Sequence, residues 1–513
     1  MANYERLSAL DGTFLAFETP NTYMHVALVT IFEAGDLVTE GGLDIARIRQ
    51  YFASRLHFVP RYRQKLRAIP FTGDAVWIDD ASFELEYHVR HASLPRPGRI
   101  DQLQRRCAEI LERPLDCERP MWEAWFIEGL SGGRFAMITK VHHCMVDGVA
   151  GVDILAAILA AEPTADIDRA KAWSPRRTPS DRELLAGEMA QRARASGRLL
   201  RGIGAAAANP SKTGKEVPRR LKTLWNLLRS GTATPPEVSF NRPIGPHRRV
   251  AWTKTPIESI LEIKNALGGT LNDVVLTTAA GAIRRFLEYR GEPATGPFRT
   301  VVPVSVRSRD ERGQTGNRVS AWIVDLPVGE DVAVKRFADI AAITRSLKED
   351  DQALGAQMIT EAAELTTGNI LSLGARVLNQ SHLYNMIVTN VPGPRIPLYL
   401  LGSRMTEAYP HVPLFANQGL GIALFSYGDE LYWGIAADWE LVPDVRTLGA
   451  FIDDAFEELA AAAISVPSRP SRARNAPRRA KHAAPGRAAR AVPSAASSGV
   501  KKKVPGSPGV SRS

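Results

Sequence analysis

Hydrophobic and polar residues follow two different periods along the first 160 positions of the chain. Runs of apolar and β-branched residues are typical of strands, whereas apolar residues three or four positions apart indicate helices. On this basis strands are predicted at 23–34, 121–130 and 135–143. Helices are predicted at 42–56, 99–115 and 149–161. The alternation of the two kinds of element predicts a mixed α/β fold.

The rest of the body has the same mixture, after a stretch of different composition. Residues 163–240 are rich in Arg, Ala, Pro and Ser and contain short amphipathic pieces. We interpret them as a basic helical crossover between two halves, 1–162 and 241–465, and a helix of this kind would also suit a membrane face. In the second half, helices are predicted at 270–291 and 446–463, and strands at 298–307, 317–328, 383–394 and 419–438.

Basic charge is concentrated at the end of the sequence. The net charge is +10, yet residues 466–513 contain twelve Lys/Arg and no Asp/Glu, which leaves 53 basic and 55 acidic residues in the rest. This end has almost no large apolar residue, so it is predicted to be disordered. It is either a solubilising appendix or a polybasic contact with an anionic membrane or lipid-droplet surface. Nucleic-acid binding is disfavoured, because no aromatic residue is interleaved with the basic ones.

Sequence features also bear on localisation. No stretch reaches the about 18 uncharged apolar residues of a membrane span, and the closest, 148–161, is shorter and contains Asp153. The first residues lack the charged and apolar regions of a signal peptide. The cysteines, Cys107, Cys117 and Cys144, are spaced by ten and 27 residues and form no metal motif or disulfide framework. We therefore expect a cytoplasmic protein, peripheral to the inner face of the membrane or to lipid droplets, without a bound metal.

Two adjacent histidines, His142 and His143, end the predicted strand 135–143 and precede Asp147 and Gly148. Side chains alternate between the faces of a strand, so only one imidazole would face a given cleft. An imidazole suits a general base that takes a proton from an attacking alcohol. The alternative is a pair of core histidines with Asp147 as a helix N-cap. Metal binding is disfavoured, because adjacent strand residues diverge and no third ligand is evident.

The heptapeptide HHCMVDG at 142–148 resembles the HHxxxDG motif of CoA-dependent acyltransferases. More narrowly, the chain resembles the bacterial wax ester synthase/diacylglycerol acyltransferase family over nearly the whole body. Met121 stands where that family has Leu, a change that nearly conserves volume. Thr389 stands where the family has Ser, and the basic end has no counterpart. The other stretches that carry the resemblance are 7–26, 77–98, 113–130, 269–276 and 389–394.

The resemblance implies two pseudo-symmetric halves like those of chloramphenicol acetyltransferase, each a mixed sheet flanked by helices, with an active-site tunnel between them. It also implies transfer of a long-chain fatty acyl group from acyl-CoA to diacylglycerol or a long-chain alcohol, without a cofactor. It assigns the general base to His143 and makes His142 its back-facing neighbour. Asp147 would be structural and paired with an arginine of the other half, for which Arg307 is our candidate. Cys144 as a nucleophile is disfavoured, because it falls at a variable position of the motif.

The remaining candidate residues have structural and functional interpretations. Asn272 and Asp273 would cap the predicted helix 270–291 or take part in the site, and capping is favoured. The TNVPGP stretch, with Asn390, Pro392 and Gly393, forms a rigid turn after a strand or a wall of the substrate tunnel.

Pro120 and Trp122 are expected to pack in the core beside the motif strand. Two rival functions stay open: an acyltransferase for another lipid alcohol, and a scaffold that binds a lipid surface through the basic end. The sequence determines neither the oligomeric state nor the oxyanion donor.

Overall fold

Two six-stranded mixed sheets organise the protein. A computed structural model describes residues 4–145, 155–193, 235–305, 319–354 and 382–465. Strands of the first half are β1 (Glu5–Arg6), β2 (His25–Glu33), β3 (Val38–Thr39), β4 (Gly42–Leu43), β5 (Gln64–Ala68), β6 (Ala75–Asp79), β7 (Val89–Ser93), β8 (Trp122–Leu130) and β9 (Arg134–His142). Those of the second are β10 (Arg248–Pro256), β11 (Phe298–Ser305), β12 (Val319–Leu326), β13 (Met386–Val391), β14 (Tyr399–Leu400), β15 (Ser403–His411), β16 (Leu420–Tyr427) and β17 (Glu430–Asp438).

Helices cover these sheets and connect their strands. They are α1 (Ala9–Phe17), α2 (Ile45–Arg55), α3 (Leu85–His88), α4 (Ile100–Leu111), α5 (Ile257–Leu267), α6 (Leu271–Tyr289), α7 (Ala333–Leu354) and α8 (Val445–Ile464). Short 3₁₀ turns lie at Gly35–Leu37, Leu56–Phe58, Pro60–Arg63 and His143–Met145. No helix in the described part of the chain is both long enough and apolar enough to span a membrane.

The first sheet has the order β14-β15-β2-β9-β8-β7, with only β7 and β8 parallel. Its strand β15 comes from late in the chain and pairs antiparallel with β2, with His411 opposite Ala27. The boundaries proposed for the two halves remain a prediction, but this sheet contains strands from both halves. Pairing with β15 gives the backbone groups along one edge of β2 their hydrogen-bond partners.

The second sheet has the order β10-β17-β16-β13-β11-β12. Its centre is parallel, from β16 through β13 to β11, and its outer pairs are antiparallel. The central helix α6 is buried along most of its length and packs with α7 and α8. Each sheet therefore has its own apolar core: Phe32, Trp122 and Phe135 belong to the first, and Phe286 and Trp433 to the second.

The mixed α/β class predicted from the sequence is confirmed, with several local corrections. The predicted strand 135–143 ends at His142, because His143 begins a 3₁₀ turn. The predicted strand 419–438 is a hairpin that turns at Gly428, whose φ of 56° favours glycine. Strands β10 and β15 and helix α1 were not predicted. Of the predicted helix 149–161, residues 155–158 are helical and 149–154 lie outside the described residues.

A small third sheet, β1-β6-β5, lies beside a helical stretch of the crossover. Residues 181–193 are helical, and Leu184 packs against Val76 and Ile78 of β6 and against Ile69, which follows β5. The contact is reinforced by an ion pair between Arg6 and Glu188. This part of the crossover is thus a helix held on the first half by an apolar face. Residues 194–234 lie outside the described part.

Candidate active site

The two motif histidines lie where β9 ends against β2. His25 is the register partner of His142, so the pairing continues to the last residue of β9. One residue on, the backbone N–H of His143 donates to the carbonyl of Met24 at 2.7 Å. The chain then enters the His143–Met145 turn, which α1 contacts. Because His143 is in this turn, its direction is set by the turn rather than by strand alternation.

The imidazole of His143 is half-buried against helix α1. The ring of Phe14 lies on it with centroids 3.8 Å apart and planes 21° apart. Its Nδ1 is closed off from solvent and has no hydrogen-bond partner among the described residues. Burial lowers the pKa of His143 to about 4, while its own backbone carbonyl acts in the opposite direction. The ring is therefore neutral at neutral pH, the form in which it can accept a proton.

His142 is fully buried and held at both ring nitrogens. Its Nε2 lies 3.1 Å from Oε1 of Glu18, and the backbone N–H of Cys144 donates to its Nδ1 at 3.2 Å. Because Nδ1 accepts a hydrogen bond, the ring proton is on Nε2, which donates to the carboxylate. In this arrangement His142 supports the turn and Nε2 is occupied by Glu18.

Cys144 is placed as a neutral thiol. Its Sγ lies 2.9 Å from Nδ1 of His142, and the residue is buried. Burial raises the pKa of the thiol well above its ordinary value, and the nearby carboxylates of Asp11 and Glu18 act in the same direction. Since a thiolate is the nucleophilic form, these surroundings disfavour covalent catalysis by Cys144.

Three of the predicted site residues lie outside the described residues. They are Asp147 and Gly148, in 146–154, and Arg307, in 306–318. The predicted pairing of Asp147 with Arg307 therefore stays a prediction. The course of a tunnel past His143 stays one as well, because residues 146–154 follow directly on the histidine turn.

The structure brings two of the other predicted motifs together. The side-chain amide of Asn390, near the end of β13, donates to Oδ1 of Asn272, in the first turn of α6, at 2.9 Å. Among the described residues, no hydrogen bond joins this pair to His142 or His143. The two motifs thus form one contact within the second half of the protein.

Asp273 caps its own helix and fastens a second one. Its Oδ2 accepts from the backbone N–H of Thr270 at 2.7 Å, and the Thr270 hydroxyl accepts from the N–H of Asp273 at 3.2 Å. Its Oδ1 accepts from the hydroxyl of Thr344, on α7, at 2.7 Å. These bonds satisfy a buried carboxylate and account for Asp273 as a structural residue.

The other predicted residues have packing roles. Pro392 is exposed, whereas Gly393 donates its N–H to the Ser426 hydroxyl at 2.9 Å. A Cβ on Gly393 would lie 2.2 Å from the Ser426 carbonyl oxygen, so only glycine fits there. Pro120 is buried, and Trp122 pairs with Val141 of the motif strand.

The Trp122 indole also donates to the carbonyl of Tyr62 at 2.8 Å and stacks on His88 at 4.6 Å. Sequence reasoning missed two residues of the site, Phe14 and Glu18. One signal was present for the latter: Glu18 is the only acidic residue between Asp11 and Glu33.

Helix α1 also meets the second half of the protein. Phe17 makes an edge-to-face contact with Phe415 at 5.7 Å, and Asn21 donates its side-chain amide to the carbonyl of Ile244 at 3.1 Å. An open cleft of about 410 Å³ lies here, lined by Thr19, Asn21, Thr22, Pro243, Ile244, Ala416 and Asn417. The segment that covers His143 is thus at the seam between the halves. No cluster of His, Cys, Asp and Glu in the described part could hold a metal.

Comparison with known proteins identifies the family. The model of the wax ester synthase/diacylglycerol acyltransferase catalytic domain matches residues 7–275, and the model of the WS/DGAT C-terminal domain matches 315–460. A putative diacylglycerol O-acyltransferase of Mycobacterium tuberculosis H37Rv is 33% identical over 476 residues, covering 89% of this chain and 90% of the relative. The probable diacylglycerol O-acyltransferase tgs1 of the same strain is 32% identical over 465 residues, covering 89% and 96%.

Solved structures show the same fold. The wax ester synthase/diacylglycerol acyltransferase from Marinobacter aquaeolei VT8 has a TM-score of 0.65 at 24% identity, over 90% of this chain and 99% of its own. The first condensation domain of the calcium-dependent antibiotic synthetase has a TM-score of 0.56 at 17% identity, over 91% and 98%. The fold is therefore the two-sheet acyltransferase fold. The chain belongs to the wax ester synthase/diacylglycerol acyltransferase family, and the predicted family and acyltransferase class are confirmed.

Proposed function

We propose that the protein transfers a long-chain fatty acyl group from acyl-CoA to the free hydroxyl of diacylglycerol, forming triacylglycerol, with His143 as the general base. The observation that carries the proposal is the state of His143. Its imidazole is neutral, lies directly after the motif strand, and has its Nδ1 buried away from solvent. Because Nδ1 is closed off, we assign the proton transfer to Nε2. The reaction needs no cofactor, since acyl-CoA is itself a substrate.

The proposed step takes place in a ternary complex. His143 accepts the hydroxyl proton as the alcohol oxygen attacks the thioester carbonyl, which becomes a tetrahedral oxyanion. The carbon–sulfur bond then breaks, and the imidazolium returns the proton to the departing CoA thiolate. General-base help of this kind typically contributes about 10²–10⁴-fold, and holding both substrates in register adds the proximity effect.

The other motif residues have supporting roles in this proposal. Asp147 orients the loop after the histidines, with Arg307 as its partner, and Gly148 permits the turn into the next helix. Asn272, held by Asn390, and the turn at Pro392 and Gly393 form a wall of the substrate passage. The Asn272–Asn390 hydrogen bond supports a joint role for these two motifs, because it links them at one point.

The alcohol acceptor distinguishes the leading proposal from the second candidate, wax ester synthesis. The relatives at 32–33% identity are named as diacylglycerol acyltransferases, which favours diacylglycerol. The family name covers both activities. In a hydrophobic pocket one methylene group changes discrimination by about 1–3 kcal/mol, so pocket shape decides between the alcohols.

Product analysis tests the acceptor. The purified protein is given radiolabelled palmitoyl-CoA with diacylglycerol, with hexadecanol, and with both together, and lipid products are separated by chromatography. The proposal expects triacylglycerol in the first reaction and as the major product in the third. Hexadecyl palmitate as the major product would instead establish the wax ester synthase. No ester with either acceptor would contradict the proposal and favour another lipid alcohol or the scaffold.

We also propose that the protein works at the surface of an anionic membrane or lipid droplet. Twelve Lys/Arg residues without an acidic one in 466–513 support this, at about 1 kcal/mol for each basic residue near the surface. Phe71 also supports it: the side chain is 97% exposed at the turn between β5 and β6, with a φ of 63°. Bulky residues rarely adopt that conformation.

Vesicle flotation tests the lipid contact. Full-length protein is mixed with vesicles of phosphatidylcholine alone or with phosphatidylglycerol, beside a chain ending at Ser465 and a Phe71→Ser variant. Truncation is expected to abolish the preference for anionic vesicles, and Phe71→Ser to weaken binding to both kinds. Full-length protein that stays in solution with anionic vesicles would contradict the proposal.

A further inference from the structure

Glu18 connects helix α1 to the histidine motif. The residue follows the last helical position, and its backbone N–H donates to the carbonyl of Leu15 at 3.3 Å. Its side chain is turned towards His142. We propose that Glu18 is a positioning residue for acyl transfer, which acts through His142 to hold the turn that presents His143. This inference rests on the proposed function and adds a residue to its site.

One oxygen of Glu18 fixes two parts of the site. Oε1 accepts from the backbone N–H of Met24 at 3.0 Å and from Nε2 of His142 at 3.1 Å. The carbonyl of Met24 in turn accepts from the N–H of His143 at 2.7 Å. On the other side of the ring, Nδ1 of His142 accepts from the N–H of Cys144 at 3.2 Å. Two consecutive backbone amides of the turn are thus held through Glu18.

The same contacts select one form of the His142 ring. The N–H of Cys144 points at Nδ1, so a proton on that nitrogen would set two donors against each other. The proton is therefore on Nε2, which is buried and needs an acceptor, and Glu18 supplies it. Without this carboxylate the buried N–H would be unpaired, and the ring would be driven towards the opposite tautomer or another rotamer. Either change would release the amide of Cys144.

Glu18 also determines where α1 ends over the site. The helix carries Phe14, whose ring lies on His143 at 3.8 Å. Fastening the helix end to Met24 and His142 therefore fixes the cover of the base as well as its backbone. A displacement of about 1 Å at a reacting group can cost about 10²-fold in rate, so these indirect contacts are expected to affect turnover.

Kinetics of Glu18→Ala and Glu18→Gln test the inference. Glu18→Ala is expected to lower kcat by about 10–100-fold with KM changed less than about twofold, because the base is displaced while the substrates still bind. Glu18→Gln is expected to recover most of this loss, since its amide oxygen can accept both hydrogen bonds. Asp44→Ala is the matched control, because Asp44 accepts the N–H of Arg47 at the start of α2. It is expected to lower the melting temperature and leave kcat unchanged.

A double-mutant cycle separates positioning from general stability. If Glu18 acts mainly through His142, Glu18→Ala slows the His142→Ala background clearly less than it slows the wild type. Multiplicative losses would overturn the inference. So would a folded Glu18→Ala with wild-type kcat, or a Glu18→Gln as slow as Glu18→Ala. Absence of acceptor-dependent turnover in the wild type would count against the proposed function, and the tautomer of His142 then decides about Glu18.

That tautomer is measured without turnover. In protein labelled with ¹⁵N-histidine, the wild type is expected to show His142 protonated at Nε2 alone, assigned by the signal that His142→Asn removes. Glu18→Ala is expected to shift or broaden this signal, and Glu18→Gln to retain it. A His142 protonated at Nδ1 in the wild type would overturn the inference, and so would an unchanged signal in Glu18→Ala.

Discussion

Removing the Phe14 ring is expected to shift the pH dependence of acyl transfer. Phe14 lies flat on the His143 imidazole at 3.8 Å and excludes water from one face of it. Burial is the main cause that lowers the pKa of His143 to about 4. The base must be unprotonated to act, so kcat/KM is expected to rise with pH through about 4 and to be level above about pH 6.

The size of the shift follows from the burial of the ring. An ordinary histidine has a pKa of about 6.5, so the difference from about 4 corresponds to about 3 kcal/mol disfavouring the charged ring. Phe14→Ala opens one of the two ring faces and is expected to restore about one pH unit of this difference. At pH 5 the wild type would then keep about nine tenths of its level rate, and Phe14→Ala about one half.

The assay is the initial rate of CoA release with palmitoyl-CoA and diacylglycerol between pH 4 and 8. Phe58→Ala is the matched control, because the Phe58 ring lies against a different imidazole, that of His57, with centroids 3.9 Å apart. Its acid midpoint is expected to equal that of the wild type. A wild-type midpoint near 6.5 would contradict the lowered pKa of His143, and a midpoint that is the same in Phe14→Ala and the wild type would contradict the role of Phe14.

Three further predictions concern residues near the motif and in the second half. Cys144→Ala is expected to keep kcat within about threefold, because the neutral buried thiol is not the nucleophile; a folded variant without turnover would contradict this. Asn272→Ala and Asn390→Ala are expected to show a coupling of about 1 kcal/mol in a urea double-mutant cycle, and additive losses would exclude their hydrogen bond. Asp273→Ala is expected to lose about 2–4 kcal/mol of unfolding free energy, because the backbone N–H of Thr270 and the hydroxyl of Thr344 both lose their buried acceptor. An unchanged urea midpoint would contradict the capping role.

Elements with local signals were predicted well from the sequence. Helix α6 begins after Thr270 and ends before Gly291, close to the predicted 270–291. The agreement is good because the capping residues and the apolar spacing of this helix are local features of the sequence. The motif strand β9 was predicted within one residue at each end. These elements depend on short-range hydrogen bonds and periodicity, which the sequence displays directly.

Long-range pairing was not predictable in the same way. Strand β15 contains Glu407 and Pro410 among its apolar residues, so its pattern does not stand out as a strand. Its partner β2 lies in the other half, and alternation of side chains specifies a face rather than a neighbour. The extension of the first sheet across both halves therefore emerged only from the structure.

The part of the site that lies in the HHxxxDG motif was predictable from the sequence. His142 and His143 stood out by their adjacency, but their directions did not follow from strand geometry, because the strand ends between them. Phe14 and Glu18 act on the motif only after the β2–β9 pairing brings Met24 beside His143. Such roles depend on tertiary contacts that no local spacing encodes.

The assignment of His143 as the base of an acyl-CoA acyltransferase is tested most directly by acceptor-dependent CoA release from His143→Ala. His91→Ala, which removes the imidazole that pairs with Glu128 on β7 and β8, is the control, and circular dichroism establishes that both variants are folded. This assignment predicts a loss of at least about 100-fold in His143→Ala and wild-type rates in His91→Ala. A folded His143→Ala that releases CoA within a few-fold of the wild type would contradict it.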